Sequence, residues 1–180
     1  PLYEHGDLVG AVVVFRDVAE ARALASKMDY LAAHDPLTGL PNRRTFEQHL
    51  SRVLNDIQGR NEEHVLCYID LDQFKIINDT CGHAAGDELP RQISDIPYAH
   101  IRKTDTFARL GGDEFGLLLE HCPLEQGLRL IEQLLALARE YRFSWNGKSF
   151  SLGASIGVVQ LNDLFMTDIK AMSAADAACY

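Results

Sequence analysis

The stretch Arg109-Leu110-Gly111-Gly112-Asp113-Glu114-Phe115 decides how the rest of the chain is interpreted. It places two adjacent carboxylates on a glycine turn between the short apolar segments 106–110 and 115–119. Segments of this length and composition predict a β-hairpin. Two glycines permit positive φ angles and the close approach of a bulky anion, and carboxylates offer the hard oxygen ligands that Mg²⁺ prefers. An ordinary solvated turn is the alternative interpretation, because Gly and Asp are common turn residues.

A second polar group follows the apolar run 65–69, which predicts a buried strand. Asp70 and Asp72 stand at the end of this strand, and the alternation of strand side chains puts both on the same side, with the Leu71 carbonyl between them. A partly buried carboxylate without a cation or donors is destabilising or stays protonated. We therefore predict that Asp70 is a metal ligand, whereas Asp79 is better interpreted as a capping or turn residue.

The composition limits the possible functions. The chain has 180 residues, 47% of them hydrophobic and 24% charged, with a formal net charge of −9. We expect one complete core with an extension. The negative charge argues against a broad surface for nucleic acid or for an anionic membrane, because such surfaces need clustered Lys and Arg. No apolar stretch approaches the roughly 20 residues that span a bilayer.

The four cysteines are scattered without a CxxC pair, which predicts neither a zinc site nor a disulfide framework and fits a reducing cytoplasm. They are Cys67, Cys81, Cys122 and Cys179.

The first 34 residues read as a connector. The β-branched run 6–15 predicts a strand for which no partner strand precedes it in the sequence, and Asp17 offers an N-cap for a helix. Apolar residues then recur at spacings of three and four, typical of a short helix with a coiled-coil-like seam, at Ala21, Leu24, Met28 and Leu31. Packing of this helix on its own domain is the alternative. Two prolines and a glycine at 35–42 mark the boundary with the main domain.

The order of elements in the main domain mixes helices and strands. Apolar periodicity predicts helices over 43–57, 85–96 and 124–141, and strands over 65–69, 149–152 and 154–159 besides the hairpin. This order predicts a mixed sheet with helices on its faces rather than a doubly wound sheet.

Four ordered motifs resemble the GGDEF family of diguanylate cyclases. They are Asp35-Pro-Leu-Thr-Gly-Leu-Pro-Asn-Arg43, Asp70-Leu-Asp-Gln-Phe-Lys-Ile-Ile-Asn-Asp79, Gly82-His-Ala-Ala-Gly-Asp87 and Gly111-Gly-Asp-Glu-Phe115. The resemblance implies an α/β (α+β) fold in which a palm-like mixed β-sheet, as in nucleotide cyclases, is flanked by helices and preceded by a signalling helix.

The resemblance also implies a domain order. Residues 1–16 would be the last strand of a PAS-type sensor, 17–34 a signalling helix, and 35–180 a GGDEF domain truncated at its C-terminal end. The truncation is inferred because the family continues past a stretch like 174–180 into a segment bearing Lys and Arg that contacts phosphates.

The activity implied is the condensation of two GTP into cyclic di-GMP and pyrophosphate by a homodimer, with two Mg²⁺ or Mn²⁺ per active site. The metal ligands would be Asp70, the Leu71 carbonyl, Asp113 and Glu114. Glu114 would ligate the second metal or assist deprotonation of the 3′-hydroxyl. A catalytically inactive GGDEF module that regulates an attached domain, such as an EAL phosphodiesterase, is the alternative function.

The remaining site residues also follow from the resemblance. Asn78 and Asp87 match the guanine-recognising pair, Lys75 matches a phosphate-contacting residue, and Phe74 with Gln73 would add backbone donors at a helix start. Gly111 and Gly112 would admit the nucleotide, and Arg109 would aid charge stabilisation. Arg102 and Asp105 match the RxxD site at which the product inhibits the enzyme, although an i,i+3 surface pair has the same spacing.

Overall fold

The computed structural model describes residues 2–10, 19–57, 62–162 and 167–179. The chain divides into two compact units, Pro1–Ala32 and Ala33–Tyr180. The assignment of 35–180 to one domain stays a prediction.

The first unit begins with a small hairpin and continues into a helix. Strands β1 (Leu2–Glu4) and β2 (Asp7–Gly10) pair antiparallel, and helix α1 covers Ala19–Ala33. A partner strand therefore does precede β2, contrary to the expectation, because three residues are too short for alternation to be recognised. Residues 11–15 of the predicted strand and the Asp17 cap lie outside the described residues. The coiled-coil seam stays a prediction; three of its members are 44–59% exposed, namely Leu24, Met28 and Leu31.

The second unit alternates helices and strands around a four-stranded sheet. Its elements are α2 (Arg43–Asp56), β3 (His64–Asp72), α3 (Phe74–Cys81), α4 (His83–Tyr98), β4 (Thr106–Gly111), β5 (Glu114–Leu119), α5 (Leu124–Glu140), β6 (Arg142–Trp145), β7 (Lys148–Ser151), β8 (Gly153–Leu161) and α6 (Asp168–Cys179). The sheet has the order β4-β5-β3-β8, and β6-β7 form a separate hairpin.

The predicted α+β class, with helices flanking a sheet, is confirmed. In one detail the sheet differs from the expected mixed sheet, because each pairing among its described strands is antiparallel. The parallel component in the described ranges is a single isolated bridge between Asn42 and Arg109. The strands β3 and β4, which are joined through α3 and α4, run in the same direction, but β5 lies between them, so they do not form a parallel pair.

Each face of the sheet carries its own core, which explains why residues 65–69 of β3 are an uninterrupted apolar run. Val65, Cys67, Ile69 and Leu71 face one core together with residues of α4 and α5. The intervening side chains of β3 face the second core, built with α2 and α6. A Cβ at Gly157 of β8 would overlap the backbone of α6, so this glycine allows α6 to lie close to the sheet.

The structure contains two elements that periodicity did not predict. The helical segment expected over 85–96 is α4, and the separate helix α3 precedes it because Gly82, with a φ of 82°, ends one helix and begins the next. The strand β6 precedes the predicted strand at 149–152. Asn146 and Gly147, with φ of 46° and 78°, form the turn between β6 and β7, which is the sequence signal of a two-residue hairpin.

No helix among the described residues is both long and apolar enough to cross a membrane. All four cysteines are described, and each is a free thiol, as the sequence predicts.

Candidate functional site

The register of two central strands brings the predicted carboxylates to one end of the sheet. Asp70 of β3 pairs with Glu114 of β5, and the Leu71 N–H donates to the Asp113 carbonyl at 3.2 Å. Residues more than 40 positions apart in sequence thus become neighbours. The structure therefore brings together Asp70, Leu71, Asp113 and Glu114, the four residues proposed from the sequence as metal ligands.

The turn between β4 and β5 requires its glycines. Gly111 has a φ of 150° and Gly112 a φ of 52°, both in the region that L side chains rarely adopt. No heavy atom beyond the adjacent residues lies within 4 Å of the position that a Cβ would take at either glycine. The turn is therefore both conformationally dependent on glycine and sterically open to a ligand.

Arg109 holds this turn in place. Its Nε and NH2 donate to the Gly112 carbonyl at 3.1 and 2.8 Å, and its NH1 lies 3.1 Å from Asp35 Oδ1. The Arg109 side chain is only 10% exposed. The guanidinium is thus occupied within the domain, so its observed contribution is to position the turn rather than to present its charge to a ligand.

Asp35 completes this connection from the start of the domain. Its Oδ1 accepts hydrogen bonds from the Thr38 N–H at 2.9 Å and the Thr38 hydroxyl at 2.8 Å. Burial raises the pKa of Asp35, but the two bonds from Thr38 and the Arg109 guanidinium outweigh burial and leave the pKa below its ordinary value. The contacts with Thr38 and Arg109 therefore keep the Asp35 carboxylate ionised.

The carboxylate cluster carries unfavourable electrostatics. Burial raises the pKa of Asp70, and the charges of Asp113, Glu114, Asp72 and Asp176 raise it further. Asp176 comes from α6 and was not predicted, since an isolated Asp in an Ala-rich helix carries no motif signal. The Asp72 carboxylate has a separate role, because its Oδ1 accepts a hydrogen bond from the Ser155 hydroxyl at 3.0 Å across the sheet.

Two further side chains that the sequence analysis missed contact Glu114. Arg43 NH2 lies 3.3 Å from Glu114 Oε2, while Arg43 Nε donates to the Leu110 carbonyl at 3.1 Å. Tyr68 is 6% exposed, and burial together with its hydrogen bond to Glu114 raises the pKa of the phenol. Arg43 ends the first motif, which was a usable signal, whereas Tyr68 resembled an ordinary core residue of β3.

The donor set fits a divalent cation with oxygen ligands. It consists of carboxylates and a backbone carbonyl, the ligands that Mg²⁺ and Mn²⁺ prefer. The mutual repulsion that raises the pKa of Asp70 is the kind that a bound cation relieves. Among the described residues, one group of three ligating side chains has its ligand atoms within 4.8 Å of one another, and it is a different group, formed by Glu62, His64 and His121.

The predicted nucleotide residues surround the start of α3 and α4. Gln73 has a φ of 64° and begins α3, the half-buried Phe74 packs on the core, and Lys75 is exposed. Asn78 packs against Gly86, where a Cβ would overlap the Asn78 side-chain amide. The structure therefore brings Asn78 next to Gly86, the residue that precedes Asp87. The Asp87 side chain is exposed.

Arg102 and Asp105 lie elsewhere, at the opposite end of β4 from the glycine turn, about 17 Å along that strand by its length. Asp105 Oδ2 accepts from the Arg102 N–H at 2.8 Å and Oδ1 accepts from the Glu120 N–H at 3.3 Å. Both residues line a pocket of about 280 Å³ that also includes Arg129 and Gln126. Asp105 is thus partly a structural acceptor, while the Arg102 side chain is exposed.

Comparison with known proteins identifies close relatives. The family model described as diguanylate cyclase, GGDEF domain, matches residues 32–180. The probable diguanylate cyclase DgcE of Escherichia coli strain K12 is 41% identical over 175 residues, which are 97% of this chain and 16% of that protein. The chain spans between 16% and 36% of the length of the first curated relatives that it matches.

Solved structures agree with this similarity. The diguanylate cyclase SiaD of Pseudomonas aeruginosa, solved with its activator SiaC, is 32% identical with a TM-score of 0.78, covering 89% of this chain and 61% of that chain. The GGDEF domain of TpbB from the same organism is 37% identical with a TM-score of 0.75, covering 82% of this chain and 86% of that chain.

The Asp35→Asn variant tests the link to the glycine turn. Because the pKa of Asp35 is lowered by folding, the charged group stabilises the fold above its unfolded pKa of about 3.9, and this stabilisation disappears as the pH falls through the folded pKa. We expect the variant to lose about 2 kcal/mol of unfolding free energy at pH 7. The difference from the wild type should shrink below about pH 4, measured by urea denaturation across pH.

The exposed carboxylate of Asp79 provides the control for this measurement, and Asp79→Asn should change stability by less than about 0.5 kcal/mol. A stability difference between Asp35→Asn and the wild type that stays undiminished at pH 3 would contradict the assignment.

Proposed function

The chain belongs to the GGDEF-domain family of diguanylate cyclases, and on that premise we propose that it condenses two GTP into cyclic di-GMP and two pyrophosphates. The observation that carries the proposal is the group of Asp70, Asp113 and Glu114 beside an open glycine turn. In each of two steps a 3′-oxygen attacks the α-phosphorus of the other GTP. A new P–O bond forms and the bond to pyrophosphate breaks.

The proposed reaction takes place in the cytoplasm between two copies of the chain. Each domain would bind one GTP, so neither could close the ring alone, and the active form would be a homodimer. The exposed apolar side chains of Leu24, Met28 and Leu31 on α1 support pairing of two such helices. A PAS-type sensor that ends in the segment 1–16, connected through the signalling helix 17–34, would then control how often two loaded domains meet.

The GGDEF diguanylate cyclases generally use a divalent metal ion. Here Asp70, the Leu71 carbonyl, Asp113 and Glu114 would hold two Mg²⁺ or Mn²⁺ ions, which when bound neutralise charge on the triphosphate and favour ionisation of the 3′-hydroxyl. Glu114 would be a metal ligand or the acceptor of the hydroxyl proton. Its contacts with Arg43 and Tyr68 support this role, because they limit the positions that its carboxylate can take.

Asn78 and Asp87 would recognise guanine. A carboxylate accepts hydrogen bonds from guanine N1–H and N2–H₂, a donor pair that adenine lacks. Phe74 and Lys75 would contact the phosphates from the start of α3, and the exposure of Lys75 supports that role. Gly111 and Gly112 would let the nucleotide approach the turn.

Replacing Glu114 by Gln tests the proposed reaction. With GTP and Mg²⁺ the wild-type protein should form cyclic di-GMP, detected by chromatography, and Glu114→Gln should be at least about 100-fold slower because the amide neither accepts the proton nor carries the ligand charge. Glu140→Gln, at the exposed end of α5, is the matched control and should retain the wild-type rate.

The rate per molecule should also rise with protein concentration, as a homodimer requires. Tight GTP binding by the wild type without any product would reject the cyclase and favour the regulatory module.

Gly86→Ala tests the nucleotide residues without altering any of them. The added Cβ must displace the Asn78 amide, and the loss of one ligand hydrogen bond should weaken binding of 3′-deoxyGTP about tenfold. Binding of 3′-deoxyATP should change little. Thr80→Ala, at an exposed position of α3, the helix that carries Asn78, serves as control. Equal affinity of the wild type and both variants for 3′-deoxyGTP would show that Asn78 does not contact the base.

Arg102→Ala tests product inhibition at the RxxD site. The pocket beside Arg102 and Asp105 supports binding of a phosphorylated ligand there. Removing the guanidinium should raise the cyclic di-GMP concentration for half-inhibition by about tenfold or more. Lys103→Ala removes a neighbouring exposed cation and should leave that concentration unchanged. The site is refuted if the two variants are inhibited alike.

A further inference from the structure

A second group of ligating side chains lies far from the carboxylate cluster. Glu62 precedes β3, His64 begins it, and His121 follows the end of β5. Because Asp70 is six residues farther along β3, the two groups are separated by about 20 Å. One ligating atom from each residue of the second group lies within 4.8 Å of the others.

His64 is an unusual member of the core. Its side chain is 2% exposed, and its Nε2 has no hydrogen-bond partner. A buried polar atom without a partner costs roughly 1–3 kcal/mol and calls for an explanation. Among the described side chains, the Nε2 of His64 is the one buried nitrogen or oxygen atom that lacks a hydrogen-bond partner. It lies 3.9 Å from Glu62 Oε2, too far for a hydrogen bond.

The spacing of the three groups suits a metal ion. His121 Nδ1 lies 3.4 Å from the same Glu62 oxygen. Ligand bonds of about 2.1 Å at tetrahedral angles place neighbouring ligand atoms about 3.4 Å apart. One of the two measured separations already has this value, and the other exceeds it by about 0.5 Å. His121 is exposed, so the group is reached from solvent.

The charges around His64 favour a cation. A metal ion binds the neutral imidazole, through a ring nitrogen that carries no proton. Three carboxylates act on the His64 ring through their charge, those of Glu120, Glu62 and Asp56. Glu120 is paired with Arg52 at 3.3 Å. The carboxylates near His64 carry more negative charge than Arg52 offsets, and this negative charge attracts a bound cation.

We propose that Glu62, His64 and His121 bind a transition-metal ion of borderline softness, such as Zn²⁺, Co²⁺ or Ni²⁺, with solvent as a fourth ligand. Two imidazoles and one carboxylate select these ions over Mg²⁺, which prefers oxygen alone. The site is therefore chemically distinct from the carboxylate cluster at the other end of β3.

Binding changes a hydrogen bond that the free protein makes. The backbone N–H of His121 donates to His64 Nδ1 at 3.1 Å, so the neutral His64 ring carries its proton on Nε2. A metal at Nε2 replaces that proton, and Nδ1 takes one up, so the ring stays neutral and the bond from His121 is lost. His121 also has a φ of 48°, which is uncommon for a non-glycine residue.

The movement reaches residues of the RxxD pocket. The preceding residue, Glu120, donates its N–H to Asp105, and the following residue, Cys122, lines the pocket. Cys122 also donates its N–H to the Glu63 carbonyl at 2.8 Å, beside Glu62. The metal site and the pocket thus share the turn 120–122.

Titration with Co²⁺ in a large excess of Mg²⁺ tests the proposal, because Mg²⁺ occupies the carboxylate cluster. The wild type should bind one Co²⁺ with the intense visible absorption of a tetrahedral site. His121→Ala and Glu62→Gln should each weaken binding about tenfold or more, while both keep the fold because neither side chain is buried. His100→Ala, at an exposed histidine of the second unit, is the control and should bind as the wild type does.

Nitrogen NMR of the imidazoles gives an independent measurement. His64 should carry its proton on Nε2 in the free protein and on Nδ1 when Zn²⁺ is bound. The proposal is rejected if Co²⁺ binding is absent or equal in wild type and His121→Ala, or if His64 keeps its Nε2 proton with Zn²⁺ present. A retained Nε2 proton would instead fit a water molecule that joins Nε2–H to Glu62.

Discussion

The antiparallel register of β3 and β5 is the constraint on which the site depends. It sets Asp70 opposite Glu114 and ties Leu71 to the backbone of Asp113. A shift of one residue would turn the Asp70 side chain to the other face of the sheet and place Leu71 among carboxylates. The register is fixed because both faces of β3 are buried in separate cores, so any shift would expose apolar side chains and bury polar ones.

Two residues of the motif 35–43, Asp35 and Arg43, support the glycine turn between β4 and β5. Asp35 reaches Arg109, and Arg109 holds the Gly112 carbonyl, while Arg43 reaches both the Leu110 carbonyl and Glu114. The contacts of Asp35 with Arg109 and of Arg43 with Leu110 and Glu114 each span about 70 positions of sequence. The two glycines make the turn possible, and the two arginines restrict where it lies.

Local patterns in the sequence predicted most of the fold. The helices α2 and α5, the hairpin β4-β5 and the central strand follow from periodicity and glycine, because those signals are contained within each segment. The break at Gly82 was missed because both flanking segments have helical character, and β1 because it is too short. The motifs predicted that Asp70, Asp113 and Glu114 belong to one site, and the structure brings these residues together, while their roles stay a prediction. Tyr68 and Asp176 were not predicted, since only packing reveals what a core tyrosine or an isolated helix carboxylate contacts.

The positive φ angles at Gly111 and Gly112 have a consequence for comparing related sequences. Both glycines are required by the backbone of the turn whether or not a nucleotide binds. Glu114, in contrast, has no positive φ angle, and its side chain is about one third exposed. A relative that has lost catalysis can thus keep its glycines for folding alone, so their presence identifies the architecture, and the carboxylates beside them carry the information about activity.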